Sequence, residues 1–123
     1  MLLSMWAKAP AKPLLEVVRD ATRQVLAWCE EFHPGAPIGL NIMLTNGSEL
    51  GGTRLGRTLF LARREGIHDC EICGFPHVHH QPEKDHRAII VASEPITHEL
   101  WNEVPERSLH RIDPELDWHI EPL

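Results

Sequence analysis

The sequence lacks any apolar run long enough to cross a bilayer. No uninterrupted apolar stretch is longer than that from Ala88 to Ala92, whereas a membrane-spanning helix needs about 20 residues. The first residues of the chain have neither the basic start nor the full-length apolar core of a secretory signal. We therefore expect no membrane partner and no export.

Positive charge is also scarce. Twelve Lys and Arg residues stand against 18 Asp and Glu residues, which gives a formal charge of −6 with histidine neutral. The basic residues are spread along the chain, whereas a protein that binds phosphate backbones needs clustered cations that release counterions. The sequence therefore predicts that nucleic acid is not a partner.

Cysteine is the third scarcity. The chain has three cysteines, an odd number without a disulfide framework, and this is typical of the reducing cytoplasm. A length of 123 residues and a mass of 14.0 kDa suit one domain. With 42% hydrophobic and 24% charged residues, the composition is that of a soluble globular protein. We predict a single cytoplasmic domain.

One long helix is predicted near the start of the chain. Residues 1–13 contain Pro10 and Pro13 and are interpreted as an irregular lead-in, before a single α+β domain over residues 14–123. Apolar residues then recur at spacings of three and four, which is the pattern of one helical face. The residues of this stripe are Leu14, Val17, Val18, Ala21, Val25 and Trp28. The pattern predicts a helix over residues 14–32, with Trp28 in the core and Cys29 as a buried, unreactive thiol.

Strand signals dominate the rest of the chain. Asn46-Gly47 between two apolar runs is the signal of a β-hairpin with a type I′ turn, and a run at residues 57–63 predicts a third adjacent strand. Gly51-Gly52 inside the second strand indicates a bulge or the close approach of another backbone. The run over residues 87–93 is typical of a strand covered on both faces, and two short strands follow at residues 108–113 and 118–120.

These elements predict the α+β class: an antiparallel sheet with one long helix. Six strands and one substantial helix leave one face of the sheet without cover, because layered domains bury each apolar face against another element. Either a second sheet or another polypeptide must cover that face. Dependence on a partner is therefore expected from the element count.

A loop at residues 68–86 is rich in cysteine and histidine, the residues that supply the four ligands of tetrahedral zinc. A structural zinc site held by Cys70, Cys73, His77 and either His79 or His80 is one interpretation, with His68 and His86 as further candidates. An exposed loop with two reduced thiols and a redox dithiol are the alternatives. A catalytic zinc is disfavoured, because no His-Glu-x-x-His pattern is present. His33, His98, His110 and His119 are isolated, which favours surface or strand-facing positions.

Three segments together resemble a known family. They are Leu40 to Leu59, which contains Thr45-Asn46-Gly47-Ser48 and Thr53-Arg54-Leu55-Gly56-Arg57, then Val91-Ala92-Ser93-Glu94-Pro95, then Trp101-Asn102-Glu103-Val104-Pro105 with Ser108-Leu109. In this order they are similar to the C-terminal half of class II glutamine amidotransferases, in the branch of the ergothioneine-pathway amidohydrolase. The similarity runs from about Leu14 to the C-terminus.

The resemblance implies half of an N-terminal-nucleophile αββα sandwich, whose second sheet comes largely from the family's N-terminal half. It also implies attack on a glutamine or γ-glutamyl amide by the thiolate of an N-terminal cysteine. This sequence opens Met1-Leu2-Leu3 and has no such cysteine, and Cys29 cannot replace it because it lies in the middle of the predicted helix.

We therefore expect a C-terminal half or subunit without catalytic residues of its own, inactive unless a nucleophile-bearing chain is supplied. The expected partner is that chain, or a second copy in a homo-oligomer. Arg54 and Glu94 are candidates for pocket or pairing groups. The alternative function is a free-standing zinc-binding interaction module without catalysis.

Overall fold

The protein belongs to the α+β class, with two helices and two antiparallel sheets in the part of the chain that the structure describes. The structure is a computed structural model that describes residues 1–66, 69, 72–75 and 86–123. No helix within these residues is both long enough and apolar enough to span a membrane.

The two helices come first in the chain. Helix α2 (Leu14–Phe32) occupies the range for which the apolar stripe predicts a helix. Residues 1–13 differ from the prediction of an irregular lead-in, because Leu2–Lys8 forms a short helix, α1. Leucine, methionine, alanine and lysine favour helix there, and α1 contacts α2. Pro13 then stands at the N-cap of α2.

Only the first half of α2 is buried. Its fully buried residues end at Thr22, and the helix contacts the three adjacent strands β1, β2 and β6 defined below. Trp28, predicted to lie in the core, is 45% exposed, and Cys29 is partly buried. The prediction for Trp28 is wrong because the apolar stripe continues beyond the buried part of the helix.

The strands form two sheets. The four-stranded sheet has the order β1-β2-β6-β7, with all neighbours antiparallel. The three-stranded sheet has the order β4-β3-β5, also antiparallel. Their bounds are β1 (Ile42–Thr45), β2 (Leu50–Arg54), β3 (Phe60–Glu65), β4 (Arg87–Ala92), β5 (Asn102–Glu103), β6 (Ser108–Ile112) and β7 (Trp118–Pro122).

The strand after the hairpin does not extend the hairpin's sheet, so the prediction of three adjacent strands is wrong. β2 pairs with β6, and β3 begins the second sheet. The chain passes from one sheet to the other at Gly56. The φ angle of Gly56 is +67°, and a Cβ added there would stand 1.9 Å from the carbonyl oxygen of Ile38. A turn of this kind requires glycine. The Asn46-Gly47 hairpin itself is present between β1 and β2.

The two sheets pack face to face around one apolar cluster. Leu59 and Leu61 from the three-stranded side contact Ile112 from the four-stranded side, together with Val104. The resemblance implied that the second sheet comes largely from another half, whereas this chain supplies strands to both sheets. The strand predicted to be covered on both faces is β4, which stands at an edge of its sheet among the described residues. Its residues are only partly buried or exposed.

Candidate functional site

The most connected polar group between the sheets is the guanidinium of Arg54, at the end of β2. Arg54 is 8% exposed. Its Nη1 donates to the carbonyl of Val104, and its Nε donates to the carbonyl of Arg57 at 3.0 Å. Its Nη2 lies 2.7 Å from Oε1 of Glu103. A buried guanidinium needs these hydrogen-bond acceptors, because nothing else compensates the free energy lost when the charged group leaves water.

A second carboxylate completes this arrangement. Glu106 Oε2 lies 3.5 Å from Arg54 Nε, and its Oε1 accepts the backbone N–H of Gly56 at 2.6 Å. Both Glu103 and Glu106 reach solvent. The Arg54 network therefore joins the end of the hairpin to the segment that leads into β6. Arg54 is a pairing group, one of the two roles predicted for it, and every donor named above has an acceptor. Glu94, the other candidate, is exposed after the end of β4.

A buried histidine, His110, lies on the same face of the four-stranded sheet as Arg54. His110 is paired with Gly52 across β2 and β6 and is 0% exposed. An added Cβ at Gly52 would lie 2.5 Å from His110 Nε2 and 2.4 Å from the carbonyl oxygen of Ile42. The imidazole therefore occupies the space that any side chain at position 52 would need.

The environment of His110 favours the neutral imidazole. Nε2 lies 3.1 Å from the sulfur of Met43, and Nδ1 has no hydrogen-bond partner within the described residues. Burial lowers the pKa of His110 to about 4, because desolvation penalises the charged ring. A ring without solvent access cannot exchange protons with a substrate, so its role in this chain is structural.

Protonation of His110 links folding to pH, and this gives a testable prediction. The folded pKa lies below the unfolded value of 6.5, so the unfolded chain binds the proton more tightly. The contribution to stability is complete above pH 6.5 and is lost as the pH falls from 6.5 to about 4. We expect a loss of about 3 kcal/mol over this window, measured by urea unfolding at a series of pH values.

The control for this prediction is His110→Leu, which removes the titrating ring. The difference in unfolding free energy between the wild type and this variant should change with pH between 6.5 and 4. A pH-independent difference for His110→Leu would show that His110 does not titrate differently in the two states.

Asp113 and His119 form a hydrogen-bonded pair of titratable side chains at the turn between β6 and β7. His119 Nε2 lies 2.8 Å from Oδ2 of Asp113, and Asp113 Oδ1 accepts the backbone N–H groups of Glu115 and Asp117. The hydrogen bond to His119 is the largest cause of a lowered pKa at Asp113, followed by that from the Asp117 backbone. This arrangement orders a turn in which Leu116 has a φ of +66°.

Two cavities open between the sheets and share the side chains of Ile89 and Leu116. The larger, of about 210 Å³, lies beneath the β1–β2 hairpin, and the smaller, of about 160 Å³, lies beside β3. Residues that line only the larger cavity are Thr45, Gly47, Ser48, Glu49, Leu50, Ile112 and Asp113. Both cavities are mainly apolar.

Most of the predicted zinc ligands cannot be placed. Cys70, His77 and His79 lie outside the described residues, as do His68 and His80. Cys73 is described: its side chain is exposed, and its sulfur lies 3.9 Å from the carbonyl oxygen of Phe75. His86 is exposed, and its carbonyl accepts the N–H of Gly66. Residues 1–66, 69, 72–75 and 86–123 contain no group of three or more residues that could hold a metal ion.

His110 has a strand-facing position, one of the two that were predicted for it, but its complete burial was not predicted. The sequence contained a signal for a close contact here, because Gly51-Gly52 indicates a bulge or the close approach of another backbone. The structure shows pairing without a bulge through both glycines. A Cβ added at Gly51 would lie 3.4 Å from a methyl carbon of Leu14 in α2. The absence of a side chain at Gly52 leaves space for the ring of His110. The sequence could not identify which side chain fills the space above Gly52, since β6 lies more than 50 residues further along the chain.

Comparison with known proteins gives no relative for this arrangement. No family model, no curated protein and no solved structure matches the chain.

Proposed function

We propose that this chain is the C-terminal-half unit, or a subunit, of a class II glutamine amidotransferase-like protein. In this proposal it completes an N-terminal-nucleophile sandwich with a separate chain that carries the nucleophile. In this proposal the partner chain provides the nucleophile, and this chain does not hydrolyse glutamine alone.

The contact made by Arg54 carries the proposal. Arg54 belongs to the hairpin segment of the family resemblance, and its partners Glu103 and Val104 belong to the Trp101–Pro105 segment. Two segments that resemble the family separately are thus bonded to each other through a buried side chain.

The layer order is a second support. Helix α2 packs on the outer face of the four-stranded sheet, whose inner face packs on the three-stranded sheet. The proposal interprets these as three successive layers of an αββα sandwich. The three-stranded sheet is small, since β5 has only two residues. Additional strands from a partner chain would enlarge it.

Co-expression with the missing half tests the proposal. The coding sequence upstream of and beside this one is searched for a frame that begins Met-Cys, and its product is purified together with this chain. We expect ammonia release from glutamine or a γ-glutamyl amide only when both chains are present, and none after Cys→Ala substitution of the nucleophile. Absence of such a frame, or an inactive mixture, would contradict the proposal.

A structural zinc ion in the loop of residues 68–86 remains part of the proposal, with Cys70, Cys73, His77 and His79 as ligands. The support is the chemistry of these side chains, since thiolate and imidazole are the ligands that zinc prefers. The ion would fix the loop between β3 and β4, and structural zinc contributes directly to folding free energy.

Removal of metal tests this ligand set. We expect the purified protein to contain about one zinc per chain, and chelation to lower its Tm. Cys73→Ser should reduce zinc content and Tm together, whereas Cys29→Ser, in the helix, should leave zinc content unchanged. Metal-free protein with a Tm that chelators do not change would contradict the site and its zinc-module alternative alike.

A further inference from the structure

The hairpin turn between β1 and β2 contains a chemically labile dipeptide, Asn46-Gly47. Because Gly47 has no side chain, its backbone nitrogen is unhindered and the peptide rotates freely. Such a nitrogen attacks the side-chain amide carbon of the preceding asparagine and forms a five-membered cyclic imide. The other two asparagines, Asn41 and Asn102, precede isoleucine and glutamate, whose side chains hinder this attack.

The folded turn directs the attacking nitrogen away from its target. The N–H of Gly47, whose φ is +92°, donates to Oγ1 of Thr45 at 3.1 Å. The same hydroxyl donates to the carbonyl of Glu49 at 2.8 Å, which fixes its position. In the imide, Cγ of Asn46 stands where the hydrogen of Gly47 stood, because a planar amide nitrogen keeps its three bonds in one plane. Oγ1 of Thr45 therefore lies in the direction from which Cγ must approach.

The side-chain amide of Asn46 is held in place as well. Its Oδ1 accepts from the N–H of Ser48 at 3.0 Å, from the hydroxyl of Ser48 at 2.9 Å and from the N–H of Glu49 at 2.9 Å. Its Nδ2 donates to Oε1 of Glu49 at 3.3 Å, and Glu49 is in turn paired with Arg111. Rotation of the amide toward Gly47 breaks these bonds. The turn is exposed, so water reaches the amide when they break.

We propose that Asn46 is a site of spontaneous deamidation, and that the hydroxyl of Thr45 restrains the reaction until the turn opens. In the open turn the Gly47 nitrogen gives its proton to hydroxide and bonds to Cγ of Asn46. The Cγ–Nδ2 bond breaks, and ammonia leaves with a proton from water. Water then hydrolyses the imide at either carbonyl, which leaves a carboxylate at position 46 in an aspartate or an isoaspartate linkage. This inference does not depend on the amidotransferase assignment.

The product changes the turn permanently. The new carboxylate faces Oε1 of Glu49, where the amide donor stood before, and like charges repel. The isoaspartate linkage also adds a methylene to the main chain, next to the pair formed by Thr45 and Leu50. Both changes fall on the rim of the larger cavity, which is lined by Thr45, Gly47, Ser48 and Glu49 on this side.

The first test compares the folded chain with a peptide of its own turn sequence. The full-length chain and acetyl-Leu-Thr-Asn-Gly-Ser-Glu-amide are incubated in the same mildly alkaline buffer, with and without urea. Mass spectrometry of proteolytic fragments measures the gain of one mass unit at position 46. We expect the folded chain to react at least about tenfold more slowly than the peptide, because opening the turn breaks several hydrogen bonds. Urea should abolish this difference, and Asn41 and Asn102 should keep their amides as internal controls.

A matched pair of variants tests the role of Thr45. Thr45→Val removes the hydroxyl but keeps the shape and the β-branching, and should raise the rate in the folded chain about tenfold. Thr45→Ser keeps the acceptor and should stay within about threefold of the wild type. Because Thr45 is exposed, we expect both variants to keep a Tm close to that of the wild type.

Four outcomes would overturn the proposal. They are no reaction at position 46 in urea, a folded chain that reacts as fast as the peptide, equal rates for Thr45→Val and the wild type, and a Thr45→Ser rate as high as that of Thr45→Val. The last would mean that the hydroxyl is not the protecting group. The comparison with the peptide needs no variant, so it decides the matter even if Thr45→Val fails to fold.

Discussion

Gly52→Ala is expected to be the most destabilising conservative substitution in the four-stranded sheet. The new methyl group would stand 2.4 Å from the carbonyl oxygen of Ile42 and 2.5 Å from the ring of His110. A backbone oxygen in a paired strand cannot move away cheaply, and a fully buried ring has no free space to enter. We expect a loss of roughly 4 kcal/mol or more in unfolding free energy, measured by urea unfolding at neutral pH.

The adjacent glycine is the control. At Gly51 an added Cβ would lie 3.4 Å from the nearest atom, a methyl group of Leu14, which is ordinary van der Waals contact. Gly51→Ala should therefore change stability by less than about 1 kcal/mol. Equal losses for the two variants would show that both glycines are required for backbone reasons and not for the space that His110 occupies. The double variant Gly52→Ala with His110→Ala should recover only part of the loss, since the Ile42 carbonyl still clashes.

Arg54→Ala is expected to cost about 4 kcal/mol in unfolding free energy, or roughly 15 °C in Tm for a domain of this size. The substitution removes the donors to the carbonyls of Val104 and Arg57 and leaves Glu103 without its partner. Because Arg54 joins the hairpin to the β5 segment, we also expect faster hydrogen exchange at the Val104 amide. Thermal unfolding and amide exchange measure the two effects.

Two controls separate burial from charge. Arg63→Ala removes the same charge from a half-exposed position and should change stability by less than about 0.5 kcal/mol. Arg54→Lys keeps the charge but not the fork of donors, and should retain only part of the stability. A small effect of Arg54→Ala would contradict its role between the two segments, and would weaken the observation on which the proposed function stands.

Local patterns in the sequence were sufficient for the elements whose physics is local. The apolar stripe indicates the range of α2, and Asn46-Gly47 indicates the hairpin turn, because each depends on residues a few positions apart. The prediction that Trp28 lies in the core was wrong, because the periodicity shows which face of the helix is apolar but not how far the sheet extends beneath that face. Residues 1–13 contain a helix despite their two prolines, because both prolines come after Lys8, the last residue of α1.

The candidate site was less predictable. Arg54 was a candidate for a pocket or a pairing group, but its partners lie about 50 residues away and no local pattern identifies them. His110 was not recognised as buried, because an isolated histidine has the same local signature on a surface and in a core. The zinc ligand set at residues 68–86 stays a prediction, with only Cys73 among its proposed ligands in the described part of the chain.

The sequence by itself determined the α+β class and the hairpin, because these depend on residue identity and short-range periodicity. Only the tertiary structure decided that β3 leaves the hairpin's sheet, that β6 takes the place beside β2, and that Gly52 and His110 share one space. Strand order is a matter of which distant segments bury each other best. The strand order therefore depends on contacts across the whole chain, and a local sequence pattern does not predict it.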